Sequence, residues 1–161
     1  MYLGFLFVTI SLSYFAVSAF FTYFFEDRRP VFAQQTIVSL TVIVAITSAA
    51  FFASIFLPDK ELGNRILHAF GGGFAQFLAC FFAARDMNIR ASRLKIFIFS
   101  FMAVTTLGVF NELMEFFLQS TVGLQSAETI TDTWLDLVSN TVGILLSALV
   151  TMPFLHSESQ Q

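Results

Sequence analysis

Six side chains could do chemistry in this chain. Glu112 and Glu115 are three residues apart, Asp132, Asp136 and Asn140 follow at steps of four, and His68 stands alone in an apolar run. Residues three or four apart share one face of a helix, so the carboxylates form two polar faces. A protonated carboxylic acid beside an ionised one can act as acid and base. Glu112 and Asp136 are the candidate pair, and His68 could shuttle the proton. Glu115, Asp132 and Asn140 are candidate ligand contacts. Glu112, Glu115, Asp132 and Asp136 could instead hold a divalent cation. An all-oxygen set favours Mg²⁺, Mn²⁺ or Ca²⁺ over zinc, although the spacing matches no tight metal motif.

Each residue also has a structural reading. Asp132 suits the first turn of a helix, where the helix dipole favours an acid. His68 could bond a carboxylate and hold helices together, and Asn140 could bond across a helix interface. Gly71-Gly72-Gly73 lacks the Lys and the Ser or Thr of a nucleotide loop, so it reads as close helix packing or a local kink. The single Cys80 gives neither a disulfide framework nor a cysteine metal knot.

The elements that carry these residues are membrane spans. Of 161 residues, 57% are hydrophobic and 12% charged, and 23 are Phe. A soluble domain carries about a quarter charged residues. A spanning helix needs roughly 20 mostly apolar residues, and five stretches qualify: about 2–25, 36–57, 66–84, 96–118 and 133–155. The cluster Glu26-Asp27-Arg28-Arg29-Pro30 ends the first, and Pro58 and Asp59 end the second. The runs lack the two-residue alternation of a barrel strand. The expected fold is all-α: one domain over residues 1–161, a bundle of about five transmembrane helices. Val17-Ser18-Ala19 loosely resembles a signal cleavage site. However, no Lys or Arg precedes the run and it continues to Phe25, so the first helix is expected to be retained. No basic stripe is present, which argues against nucleic acid as a partner.

Charge sets the expected orientation. Arg28 and Arg29 in the first loop, with Arg85, Arg90, Arg93 and Lys95 in the third, put six cations on one side. Lys60 and Arg65 in the second loop put two on the other. Positive loops mark the cytoplasmic side, so the N-terminus is expected outside and the C-terminus in the cytoplasm, in a prokaryotic plasma (inner) membrane. The basic third loop is expected to meet anionic inner-leaflet lipid.

All six candidate residues then fall in the outer leaflet. At 1.5 Å per residue, Glu115 and Asp136 lie about 6 Å deep, Glu112 about 10 Å and Asn140 about 12 Å. Charges at such depth are costly and usually face a bundle interior. The faces extend through small residues: Thr105 and Gly108 in span four, Gly143 and Ser147 in span five, and Gly72, Gln76 and Ala79 beyond His68 in span three. Small residues allow close helix approach, so spans three, four and five are expected to pack together. Their other halves read as apolar or small. Trp134 reads as an interfacial anchor.

Asp136-Leu-Val-Ser-Asn140-Thr-Val-Gly143 resembles the D-x-x-x-N-x-x-G signature of the last helix in VanZ-like membrane proteins. Asn111-Glu112-Leu-Met-Glu115-Phe resembles that family's preceding helix, with Glu115 where Gln is common. Asp59-Lys60, then His68 and Gly71 to Gly73, look like its earlier helix. Asp132-Thr133-Trp134-Leu135-Asp136 is also similar to YjdF-like proteins. The resemblance covers about residues 58–147, and the segment 120–131 lacks an Arg that VanZ-like proteins often carry there. It implies a helical membrane architecture, a polar site and a role in the cell envelope, where that family is associated with glycopeptide resistance.

Three functions compete. The site binds or processes an envelope lipid or lipid-linked substrate, with membrane lipid as the partner. Or it serves a proton- or cation-coupled carrier. Or it fixes helix packing in a structural assembly factor. A one-sided polar site favours the first. Substrate, reaction and oligomeric state are not encoded in recognisable form.

Overall fold

The computed structural model describes the backbone of residues 2–25, 34–123 and 130–155, and side chains at residue 8 and over 11–24, 35–123 and 130–155. Residues 1, 26–33, 124–129 and 156–161, among them the charged cluster read as ending the first span, lie outside the described residues. Every element described is helical. α1 is Tyr2–Phe25 and α2 is Gln34–Phe56. α3 is one continuous helix, Lys60–Asp86, with a π-helical stretch Leu67–Phe74 at its centre. α4 is Arg93–Val122 and α5 is Ile130–Thr151, followed by a 3₁₀ turn Met152–Phe154.

Side chains explain the ends. Asp59 caps α3 by accepting from the Leu62 amide at 3.1 Å. Ser92 caps α4 by accepting from Lys95 N–H at 3.4 Å. Gly123 closes α4 in the left-handed region at φ 74°, a conformation that glycine adopts without a Cβ clash. Inside the helices, Ser18, Thr47 and Thr151 donate their hydroxyls to the carbonyl four residues back. In an apolar medium a hydroxyl needs such a partner.

α2 to α5 are long and apolar enough to cross a membrane, and the described stretch Ser11–Phe24 of α1 is apolar too. Their outward faces are apolar as well. Leu149 is 75% exposed, Phe116 68% and Phe56 79%. Such a surface is stable against lipid chains and unstable in water. The chain is therefore an all-α integral membrane protein.

α3 is the centre of the bundle. Its second half buries Phe77, Cys80 and Ala83 completely, against Tyr14 and Phe21 of α1, Ile43 of α2, Ile96 of α4 and Ile144 of α5. The π-helical half meets α5 backbone to backbone. A Cβ on Gly73 would overlap the Asn140 carbonyl, and a Cβ on Gly143 would overlap the Ala69 carbonyl. Two helices approach this closely only where both lack side chains. The triple glycine thus serves packing.

The helices are longer than the apolar runs suggest. α3 starts at Lys60 rather than near Ile66, because Asp59 caps it and the polar first turn continues the helix. α4 starts at Arg93 rather than Ile96 and ends at Val122 rather than near Leu118. The extended start of α3 brings Arg65 into the bundle instead of leaving it in a loop.

Candidate functional site

The first turns of α3 carry Asn64, Arg65 and His68 on one face. Asp132 and Asp136 project from the first turns of α5, and Glu112 lies in the C-terminal half of α4. Arg93 at the start of α4 donates to the Leu155 carbonyl beyond α5, so these two helices run antiparallel. Their opposite ends, with the start of α3, form one polar end of the bundle.

Asp136 is the hub. Its side chain is 4% exposed. Arg65 Nη1 donates to its Oδ1 at 2.5 Å, Asn64 Nδ2 donates at 3.1 Å, and His68 Nε2 lies 3.5 Å away. The other arm of the guanidinium, Nη2, reaches Asp132 Oδ1 at 2.5 Å, and Nη1 also meets the Asp132 carbonyl at 3.2 Å. Arg65 thus bridges two carboxylates one helical turn apart, and its side chain is 16% exposed. Planar, charge-assisted contacts of this kind are the strong ones. A carboxylate inside a membrane protein normally has such a partner.

Glu112 differs. It is 7% exposed, and its Oε1 is buried with no hydrogen-bond partner among the described residues. One ligand atom each of His68, Glu112 and Asp136 fall within 4.8 Å of one another. Among the described residues this is the one cluster of three or more such side chains that could hold a metal ion. Arg65 pairs with Asp132 and Asp136 and lies 3.6 Å from Glu61 on its own helix, and no ion pair to Glu112 is seen among the described residues.

Asn140 lies one turn further along the Asp136 face and is also buried, with Oδ1 unpartnered among the described residues. A Cβ on Gly72 would meet this oxygen, and one on Gly108 would sit 3.4 Å from Asn140 Nδ2. Asn140 therefore fills the junction of α3, α4 and α5. Glu115 sits apart from the cluster and accepts from Asn111 Nδ2 at 2.7 Å, one turn back on α4. Trp134 is 64% exposed on the outward face of α5.

Two site residues, Asn64 and Arg65, are not evident from the apolar runs, because they precede the apolar part of α3. Their spacing is a usable signal: Arg65 and His68 are three apart and Asn64 and His68 four apart, so all share a face once the helix begins at Asp59.

The opposite end of the bundle carries a second polar cluster, just beyond the part of span three that reads as apolar or small. The Asp86 side chain is 3% exposed. It accepts from Tyr14 Oη at 2.8 Å and Ser39 Oγ at 2.6 Å, and Arg85 Nη2 lies 2.8 Å from its Oδ1. Arg85 also stacks over the Phe82 ring. α3 continues to Asp86 and buries this acid against α1 and α2, whereas the apolar run ends near Ala84. Arg85 is consequently tied to protein groups, as Arg93 is.

Residues 4–157 match the family described as "Predicted membrane protein (DUF2238)". No curated protein and no solved structure is significantly similar to the chain. The match spans nearly the whole sequence and agrees with the apolar helical bundle: the chain belongs to the DUF2238 family of predicted membrane proteins.

Proposed function

We propose that the protein binds the polar headgroup of a cell-envelope lipid or lipid-linked substrate in the outer leaflet of a prokaryotic inner membrane, and acts on it by acid–base chemistry. The observation that carries this reading is Glu112: a buried carboxylate with an unpartnered oxygen, within 4.8 Å of His68 and Asp136. A carboxylate that served only to hold helices together would spend both oxygens on neighbours. Asp136 is fixed by Arg65 and Asn64 and supplies a stationary charge. Glu112 retains lone pairs to accept or return a proton, and His68 is placed to relay one. Close to these residues in sequence, Leu113, Phe116 and Trp134 are all exposed, which suits a substrate arriving sideways from lipid. The similarity of Asp136 to Gly143 and of Asn111 to Phe116 to VanZ-like motifs supports an envelope role.

Lipid bound to the detergent-purified protein, identified by mass spectrometry, tests this. A defined envelope lipid should accompany the native chain and be depleted in Glu112→Gln. Identical lipid content in both would count against the reading.

The second reading is a proton- or cation-coupled carrier. It is favoured by the Asp86 cluster at the opposite end, and by buried Thr105 Oγ1 and Ser147 Oγ, which lack partners among the described residues between the two ends. Proton uptake by proteoliposomes under an imposed potential, lost in Asp86→Asn, would select the carrier.

A further inference from the structure

We propose that His68, Glu112 and Asp136 bind a divalent transition-metal ion, of the Zn²⁺ or Mn²⁺ class, at the outer end of the helix bundle. Two independent observations converge on this cluster. Its three ligand atoms come from three different helices yet lie within 4.8 Å of one another. Glu112, one of the three, is more than nine-tenths buried, and its Oε1 has no partner among the described residues.

Charge points the same way. Arg65 faces Asp132 and Asp136 and neutralises one of them. Glu112 brings a third carboxylate to this end of the bundle, and Glu61 lies 3.6 Å from the same guanidinium. Burying carboxylates in excess of cations in an apolar bundle is costly, so the site gains by taking up a cation.

The donor set selects the ion. Three carboxylates alone would suit Mg²⁺ or Ca²⁺. An imidazole nitrogen with two carboxylate oxygens suits Zn²⁺ or Mn²⁺ instead. A tetrahedral ion with bonds of about 2.1 Å holds its ligands about 3.4 Å apart. The side chains therefore close by little more than about 1 Å, within the reach of rotamer changes. Three protein ligands leave the fourth position open, as in catalytic rather than structural sites. Asn64 and Arg65 would be the outer partners that orient the Asp136 carboxylate toward the ion. The inference does not rest on the lipid reading, because metal is measured with no substrate present.

The test uses the full chain, purified in detergent, stripped with EDTA and titrated with MnCl₂ while free Mn²⁺ is followed by electron paramagnetic resonance, with ZnCl₂ as competitor. One ion per chain is expected. Binding should weaken at least about tenfold in Glu112→Gln, and roughly 10-fold in Asn64→Ala, which removes no ligand but releases Asp136. Should a variant fail to elute as a single species, the native protein still decides the matter. Bound Mn²⁺ should show nitrogen coupling from one imidazole in pulsed spectra. Absence of stoichiometric binding, affinity unchanged in Glu112→Gln (an adventitious ion only), or bound Mn²⁺ without imidazole coupling would each overturn the proposal. A phenotype lost in Glu112→Gln in a protein that binds no metal would overturn it while leaving the acid–base reading intact.

Discussion

Arg65 Nη1 sits 2.5 Å from Asp136 Oδ1, joining the first turns of α3 and α5 through two side chains that are 16% and 4% exposed. The second guanidinium arm holds Asp132. Removing Arg65 leaves both acids without their main partner in a poorly hydrated site. Arg65→Ala should lower stability by on the order of 3–5 kcal/mol, as breaking a buried pair from one side does. The double variant Arg65→Ala/Asp136→Asn should recover part of that loss. Thermal unfolding in detergent measures both, and purely additive losses would show that the pair is not coupled.

Gly73 and Gly143 mark the closest approach of α3 and α5. Gly73→Ala would place a methyl group on the Asn140 carbonyl and should cost about 1–3 kcal/mol, as overpacking does. Gly72→Leu should cost a similar amount or more, since the side chain would displace the Asn140 amide. Gly108→Ala is the control, because its Cβ meets Asn140 at 3.4 Å and needs only a small adjustment. Equal melting temperatures for Gly73→Ala and Gly108→Ala would mean that this interface is loose.

The helical membrane fold was legible because long apolar runs bounded by charges have one solution in lipid. Five helices stand where the five apolar runs lie, four of them long and apolar enough to cross a membrane, with ends that differ by a few residues at α3, α4 and α5. The shortfall at α3 and α4 has a physical cause: capped polar turns continue a helix beyond its apolar run, and hydropathy does not register them. That one effect hid Arg65 and Asn64 at the start of α3 and Asp86 at its end. His68, Glu112, Asp136 and Asn140 were visible as polar residues inside apolar helices, and the structure brings them together near the π-helical stretch. Glu115 shares the Glu112 face by spacing but bonds back along its own helix to Asn111. Which carboxylate would be left unpartnered depends on tertiary packing and was not encoded in spacing.

The Asp86 cluster should behave as a packing device separate from the candidate site. Tyr14→Phe removes one hydrogen bond and should cost about 1 kcal/mol. Asp86→Ala strands the Tyr14 and Ser39 hydroxyls and Arg85, and should cost more. Both variants should keep the cellular phenotype in proportion to their folded amount. A null phenotype in Tyr14→Phe at normal abundance and stability would assign this end a function.

The loop charges, six Lys and Arg on one side against two, predict the N-terminus outside and the C-terminus in the cytoplasm. Reporter fusions after Ser120 and after Gln161 should read outside and cytoplasm, respectively. The same side from both would remove the basis for an outer-leaflet site.

The most direct test of the central claim compares stability with function for Glu112→Gln and Asp136→Asn. In EDTA-treated protein, Glu112→Gln should hold or raise the melting temperature, because it removes a buried charge without a partner. Asp136→Asn should lower it somewhat, since Arg65 loses half of its bridge. Sensitivity of cells to envelope-directed antibiotics, at matched protein abundance, is the functional readout, with Asp132→Asn as the milder comparison. The account predicts that Glu112→Gln behaves like a deletion while remaining as stable as the native protein. Full phenotype in Glu112→Gln, Asp136→Asn and the combined variant would contradict it.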